Sequence, residues 1–259
     1  MTILTPIVDL DSRDSKVSQE ELNRLLNLAI QHDEHHKASF RALLDATVYG
    51  HLPFSDDSGR IRFVQFNSPE DGRALLPFFT DLDKALAVGR TDVRILALLG
   101  RTLLQVTQGA TLIMNPNHQR SILYPEEVKT LLETGNIAQV WREVPTERRE
   151  IAIQAPARAP KWLIEKIRET ERLLLYVKAA YLIECWPLDS PERADLRLSL
   201  AVKKNDAERA VRAVTVHLGP RLSKLKLPLV MMTFEPTESR PSWLPEGYAR
   251  CIFDSRSQR

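Results

Sequence analysis

From Glu150 to Phe234 the hydrophobic period switches between two residues and about 3.6 in a fixed order, and few folds accommodate that order. Glu150-Ile-Ala-Ile-Gln154 alternates as a strand, Pro160 to Leu173 repeats as a helix with Leu163 and Ile167 facing inward, and Val177 to Cys185 is a strand again. After a polar turn at Asp189 to Ala194, Leu196 to Val202 alternates. Asp206 is placed to cap a helix through about Leu222, and Pro228 to Phe234 is a last apolar strand. The order βαββαβ predicts a ferredoxin-like arrangement, a four-stranded antiparallel sheet with both helices on one face.

The first half has a different grammar. Residues 1–17 show no period and read as a loose leader. Ser18-Gln-Glu-Glu21 matches a capping box, and Leu22, Leu25, Leu26 and Ala29 follow at helical spacing. A second amphipathic segment runs from His36 to Val48 with Phe40, Leu43, Leu44 and Thr47 on one stripe, predicting a helical hairpin. Ser55 to Gly59 is a turn, Ile61 to Phe66 alternates as a strand, and Arg73 to Phe79 reads as another, with Pro77 tolerable near an end or an edge. Thr80 is placed to cap a short helix through Leu86. Val93 to Leu98 and Thr111 to Met114 fit buried strands, Arg101 to Thr107 a short helix, and Pro125-Glu-Glu-Val a helix start with acids in its first turn. A mixed sheet domain over 18–145 follows, then the ferredoxin-like domain over 150–259, so the fold class is α+β, an α/β chain of two domains.

With 259 residues, of which 43% are hydrophobic and 27% charged, the chain can bury a core in each domain. Its net charge of +2 lacks the sustained basic field that nucleic acid or an anionic membrane surface requires. Residues 1–146 balance to −4 and the remainder to +6, opposite signs that favour mutual docking of the halves, although salt screens the attraction and a solvated basic face is the blander reading. No stretch of 18 apolar residues occurs, and the opening MTILTPIVDLDSRDSK lacks a signal-peptide pattern. Together with two widely separated cysteines, Cys185 and Cys251, this predicts a cytoplasmic protein with reduced, structural thiols.

Three segments in order carry a family likeness: Leu75-Leu-Pro-Phe-Phe-Thr-Asp-Leu-Asp-Lys-Ala-Leu86, Thr111-Leu-Ile-Met-Asn-Pro-Asn117 and Leu123-Tyr-Pro-Glu-Glu-Val-Lys-Thr-Leu-Leu132. With Phe40 to Val48 they resemble the N-terminal domain of the enhanced-serine-sensitivity (SseB) family, and Val177 to Leu182 resembles its C-terminal domain.

A search for chemistry yields binding candidates and no catalytic set. His32 and His36 stand at i, i+4, a spacing that can chelate a metal, yet with Asp33, Glu34 and His35 they suit a polar turn between helices better, and no metal is expected. Cys185 beside Trp186 suits a core thiol. No G-x-S-x-G occurs, the nine glycines form no phosphate cradle, and no cofactor is expected. Asn115 and Asn117 flank a proline after an apolar strand, where they make a turn or point into a cleft. Trp243 and Tyr248 lie in an irregular tail, the setting of an interface anchor or of domain-closing packing. Arg209 and Arg212 share a helical face and, with Arg221, Lys224 and Lys226, can receive an acidic partner. RNA binding on the sheet is not expected, since the middle strands offer Tyr181 alone. The expectation is a non-enzymatic, protein-binding accessory factor. Its sharper form is an immunity-type inhibitor of a toxin or a factor for a secretion-associated partner. The alternative is an amino-acid (serine) sensing module, weakened because Ala155 to Pro160 lacks the glycine with which such modules approach their ligand. Partner identity and oligomeric state are not legible.

Overall fold

The structure, a computed structural model, describes residues 7–54, 61–88, 92–118, 120–137, 150–237, 244 and 247–255. The chain divides into two compact units, Met1–Ile137 and Ala138–Arg259. The boundary expected near residues 144–149 and the turn expected at 55–59 lie outside the described residues.

In chain order, the first unit contains β1 (Ile7–Asp9), α1 (Gln19–Gln31), α2 (His36–Asp45), β2 (Thr47–Pro53), β3 (Phe66–Asn67), β4 (Ala74–Phe79), α3 (Leu82–Leu86), β5 (Val93–Leu99), α4 (Gly100–Val106), β6 (Leu112–Met114), β7 (Ser121–Leu123) and α5 (Pro125–Thr134). The strands form one mixed sheet in the order β1-β5-β2-β4-β6-β7, with β3 on β4. Pairs β1/β5 and β4/β6 are parallel and the others antiparallel. One face packs against α1, α2, α4 and α5 through Leu22, Leu43, Leu44, Leu103, Val128 and Leu131. The other packs Tyr49, Phe79, Ile95 and Ala97 against Ala85 of α3.

The helical hairpin is present, but α2 ends at Asp45, and Thr47 and Val48, expected on its stripe, open the central strand β2. β-Branched and aromatic side chains over Thr47-Val-Tyr49 lose less freedom in a pleated strand than in a helix, and β5 offers a partner along the full length of β2. The capping box at Ser18 is half made. Ser18 Oγ accepts the Glu21 amide at 3.2 Å, while the Glu21 carboxylate pairs with Arg24 at 2.7 Å instead of returning to the cap. The leader is also less loose than expected: residues 7–9 pair with β5, and Asp11 accepts the Leu99 amide at 2.7 Å. Residues 61–65 form no strand, although Val64 N donates to His51 O at 2.8 Å, and only Phe66–Asn67 makes a ladder, so the strand expected at 61–66 shrinks to its end. Asp81, not Thr80, caps α3 by accepting the Lys84 amide at 2.8 Å. Pro77 sits inside β4, where β3 pairs with residues 74–75 and β2 with 78–79, so its missing N–H falls in the gap between them.

The second unit contains β8 (Ile151–Gln154), α6 (Lys161–Leu173), β9 (Ala179–Pro187), β10 (Asp195–Ala201), α7 (Ala207–Leu218), β11 (Leu229–Phe234) and β12 (Arg250–Asp254). The expected βαββαβ order is there, followed by a strand that the sequence reading did not include. Both helices lie on one face, where Leu163, Ile167, Ala213 and Val214 pack on Ala180, Leu182, Leu198 and Leu200. The ferredoxin-like pairing is not there. That arrangement sets the first strand between the third and fourth; here β10 pairs directly and in parallel with β11, and β8 pairs with β9. β8 and β12 lie end to end along the same edge of β9, against residues 184–187 and 179–182. The physical reason is that α7 acts as a crossover, returning the chain to start β11 beside its neighbour β10.

Candidate functional site

Because β4 and β6 are parallel, their carboxyl ends lie side by side, and the residue after each, Thr80 and Asn115, opens a buried polar cluster. Asn115 has φ 48°, the one positive-φ non-glycine residue among those described, and its short amide tolerates that conformation. Its side-chain oxygen accepts the Thr80 amide at 3.0 Å and its nitrogen donates to Thr80 Oγ1 at 3.0 Å. The Thr80 hydroxyl donates to Asn23 Oδ1 of α1 at 2.9 Å and accepts Lys84 Nζ at 3.2 Å, so its one proton and two lone pairs are all used. Lys84 also reaches Asn23 Oδ1 at 3.1 Å and pairs with Asp81. Burial pushes the Asp81 carboxyl up, but the hydrogen bonds and charge of Lys84, with Asn23, outweigh it and hold the pKa below the usual carboxylate value. Beside them Gln19 donates to the Tyr49 hydroxyl, whose pKa burial raises. This cluster ties α1 and α3 to two strand ends, and its hydrogen bonds run among its own members. Asn115-Pro-Asn117 is a turn closed by His118 N to Asn115 O at 2.9 Å, which leaves Asn117 exposed.

Two polar groups in the second unit are likewise committed. Glu184, fully buried in β9, accepts Arg158 Nη2 at 2.6 Å, Arg158 Nε at 2.7 Å, the Arg158 amide at 3.2 Å and Gln154 Nε2 at 2.6 Å. Burial pushes its carboxyl up, and these bonds hold it below the ordinary value. Cys185 is buried and its Sγ donates to Asp195 Oδ1 at 3.1 Å; burial first, and that carboxylate second, push its pKa up to about 12. It is a core thiol, not a nucleophile.

The residues singled out as binding candidates do not converge. Asn115 and Asn117 lie in the first unit and the others in the second. Arg209 stacks on the Tyr176 ring at 4.5 Å, and Arg212, its side chain 17% exposed, pairs with Glu208 at 3.0 Å. Both arginines are thus engaged within the unit rather than presented together. Tyr248 is exposed in the turn before β12, and Trp243 lies outside the described residues. His32, His35 and His36 sit at the α1–α2 turn, where His36 faces Asp33 at 3.9 Å and His35 faces Glu34 at 3.7 Å. Among the described residues no group of three potential ligands could hold a metal ion. Sequence reasoning missed the Lys84 and Glu184 clusters. A lone acid inside Tyr-Leu-Ile-Glu184-Cys-Trp was the visible signal for the second, because a strand acid flanked by apolar residues is buried with a partner or not at all.

The remaining feature is the edge strand β11. Residues 209–234 carry five Lys or Arg and no acid. Of these bases Arg221, Lys224 and Lys226 are exposed on the segment leading into β11. The strand is apolar, Leu-Val-Met-Met-Thr-Phe, yet only Phe234 is buried and Val230 is 41% exposed. Nearby, Arg221 and His217 face Glu165 and Glu169 of α6 across an open groove of about 420 Å³ with Trp162 on its wall.

Residues 22–130 match the family model described as "SseB protein N-terminal domain". The chain is 25% identical over 205 residues to Protein SseB of Escherichia coli (strain K12), which covers 76% of this chain and 77% of that protein. The same figures hold for Protein SseB of Shigella flexneri. An aligned share of 76% is longer than the first unit, so the likeness runs into the second. No solved structure matches the chain. The β4 and β6 ends that build the Asn115–Thr80–Lys84 cluster lie inside the matched stretch, so residues 22–130 of this chain are similar to the SseB N-terminal domain.

Proposed function

We propose that this SseB-like protein is a non-enzymatic accessory factor that acts by binding a partner protein. The observation that carries the reading is β11, an apolar strand at a sheet edge whose side chains, Phe234 apart, are half-buried or exposed. Among the described residues nothing pairs with the outer side of β11, and an apolar edge of that kind is a liability that folded proteins suppress, so one that is kept is best explained by use. The polar clusters support the same reading from the other side: Asn115, Thr80, Glu184 and Cys185 bond to neighbours in their own unit. The loop at 155–160, where an amino-acid sensor would approach its ligand, holds Arg158 against Glu184, which favours binding of a protein over sensing of serine. An immunity-type or secretion-associated partner is one form this function takes.

The test is co-purification of the full-length chain from cells that produce it natively, followed by gel filtration and mass spectrometry. A single protein retained at fixed stoichiometry through two columns is the expected result. Elution of the chain alone under mild salt, from cells in every growth phase, overturns the proposal.

A further inference from the structure

Among the described residues the outer edge of β11 pairs with no other strand, and it has a definite hydrogen-bonding face. Leu196 N donates to Pro228 O and Val202 N to Phe234 O, each at 2.9 Å, and the parallel register runs Leu196↔Leu229 through Ala201↔Phe234. In such a ladder residues 228, 230, 232 and 234 bond to β10, while the N–H and C=O groups of Leu229, Met231 and Thr233 point away from the sheet. The side chains of Leu229 and Met231 lean onto the helix-face core, and Val230 and Met232 lie on the opposite face. An added strand here thus meets apolar neighbours on both sides of the sheet. At its amino end the edge is led by Arg221, Lys224 and Lys226, all exposed, within a stretch empty of acids.

Resting on the partner-binding reading above, we infer that β11 accepts an extended apolar segment of the partner as a sixth strand, one that carries a cluster of Asp or Glu where it passes Lys224 and Lys226. Main-chain bonds to residues 229, 231 and 233 supply strand addition, and the basic end fixes orientation and register. A second copy of this chain fits less well. Antiparallel pairing about Met231 sets Lys226 opposite Pro236 and Leu227 opposite Glu235, while Glu235 already accepts the Lys204 amide at 3.0 Å.

The test uses the full chain and two synthetic peptides that share a valine–threonine strand core, one ending in glutamates and its twin in lysines. Fluorescence anisotropy at low salt is expected to show the acidic peptide binding about tenfold tighter, a gap that narrows as salt rises. Lys224→Glu with Lys226→Glu is expected to reverse the preference. Hydrogen exchange read residue by residue is expected to show peptide-induced protection at the amides of Leu229, Met231 and Thr233. Thr233→Pro removes an outward N–H and is expected to abolish binding; if circular dichroism shows that it also disturbs the fold, Val230→Lys supplies the second variant. Equal binding of both peptides, binding without protection at those amides, or no binding overturns the inference. Concentration-dependent dimerisation that protects them without peptide overturns it in favour of a second copy. A partner recovered by co-purification whose binding ignores Lys224→Glu/Lys226→Glu and Val230→Lys leaves the accessory-factor reading standing and sinks the strand addition alone.

Discussion

Gly100 opens α4 at the point where that helix crosses α2, and a Cβ built there would stand 1.8 Å from the Leu43 backbone oxygen and 2.9 Å from its carbonyl carbon. Neither atom belongs to a side chain that can rotate away. Gly100→Ala therefore forces the α2 and α4 backbones apart by more than about 1 Å, enough to forfeit a quarter to a half of the dispersion energy at that contact. Leu43, Leu44, Leu103 and Leu104, all buried, share the seam. Overpacking of this kind costs about 3 kcal/mol at its upper end. Alanine returns up to about 1 kcal/mol through its better helix propensity. The expected net loss is about 2 kcal/mol, or roughly 5–10 °C in the melting temperature of the first unit.

The assay has a built-in control. All four tryptophans, at 141, 162, 186 and 243, fall in the second unit. Gly100→Ala is expected to lower the urea midpoint of part of the circular dichroism signal while leaving the tryptophan fluorescence transition where it was. Gly72→Ala, at φ 71° with nothing within 4 Å of the new Cβ, is expected to cost about 1 kcal/mol from backbone conformation alone. A Gly100→Ala protein as stable as the parent, or a larger loss at Gly72 than at Gly100, would refute the close approach of α2 and α4.

Other outcomes are expected from the polar clusters. Asn115→Ala loses both the left-handed tolerance and the Thr80 bonds, and is expected to destabilise the first unit by about 1 kcal/mol more than Asn115→Gly, which keeps the backbone freedom, by urea titration. Lys84→Met removes the cation that holds the Asp81 carboxyl down, so the Asp81 pKa followed by NMR is expected to rise. The Glu184 carboxyl is depressed on folding, so its stabilisation is present above the unfolded-state pKa and lost as pH falls through the folded one; Glu184→Gln is expected to flatten the acid limb of the second unit's stability curve and to cost about 1–3 kcal/mol at pH 7. A maleimide is expected to label Cys251 in the native protein and to reach Cys185 only in denaturant, as counted by intact mass.

Local signals gave the elements and failed at their pairing. The period over Leu196 to Ala201 and over Leu229 to Phe234 identifies two strands, but nothing in either says that they are neighbours; the α7 crossover decides that. The strand β12 has apolar residues only at Cys251, Ile252 and Phe253, too short a run to show a period, and its existence depends on β9 offering an edge that β8 leaves half covered. β2 was hidden for another reason: Thr47 and Val48 continue the helical stripe of α2 numerically, and only the pairing with β5 breaks the tie. In the polar clusters the asparagine at 115 is visible as a residue of interest, while its partner Thr80 reads as a helix cap and Asn23 and Lys84, which bond to Thr80, are not visible, because the members come from separate elements up to 92 positions apart.

That distribution bears on what the segments that carry the SseB likeness do. The segments 75–86 and 111–117 meet at the Asn115–Thr80–Asp81–Lys84 cluster, where every hydroxyl and amide position of Thr80 and most of those on Asn115 go to neighbours in the same unit. A ligand-binding site keeps some of that capacity for its ligand; a latch spends it on itself. The residues of these two segments thus fix the frame of the first unit. By the same reasoning the surface that distinguishes one partner from another should be sought where hydrogen-bonding capacity is left over, and among the described residues the outward amides and carbonyls of Leu229, Met231 and Thr233 are such a place.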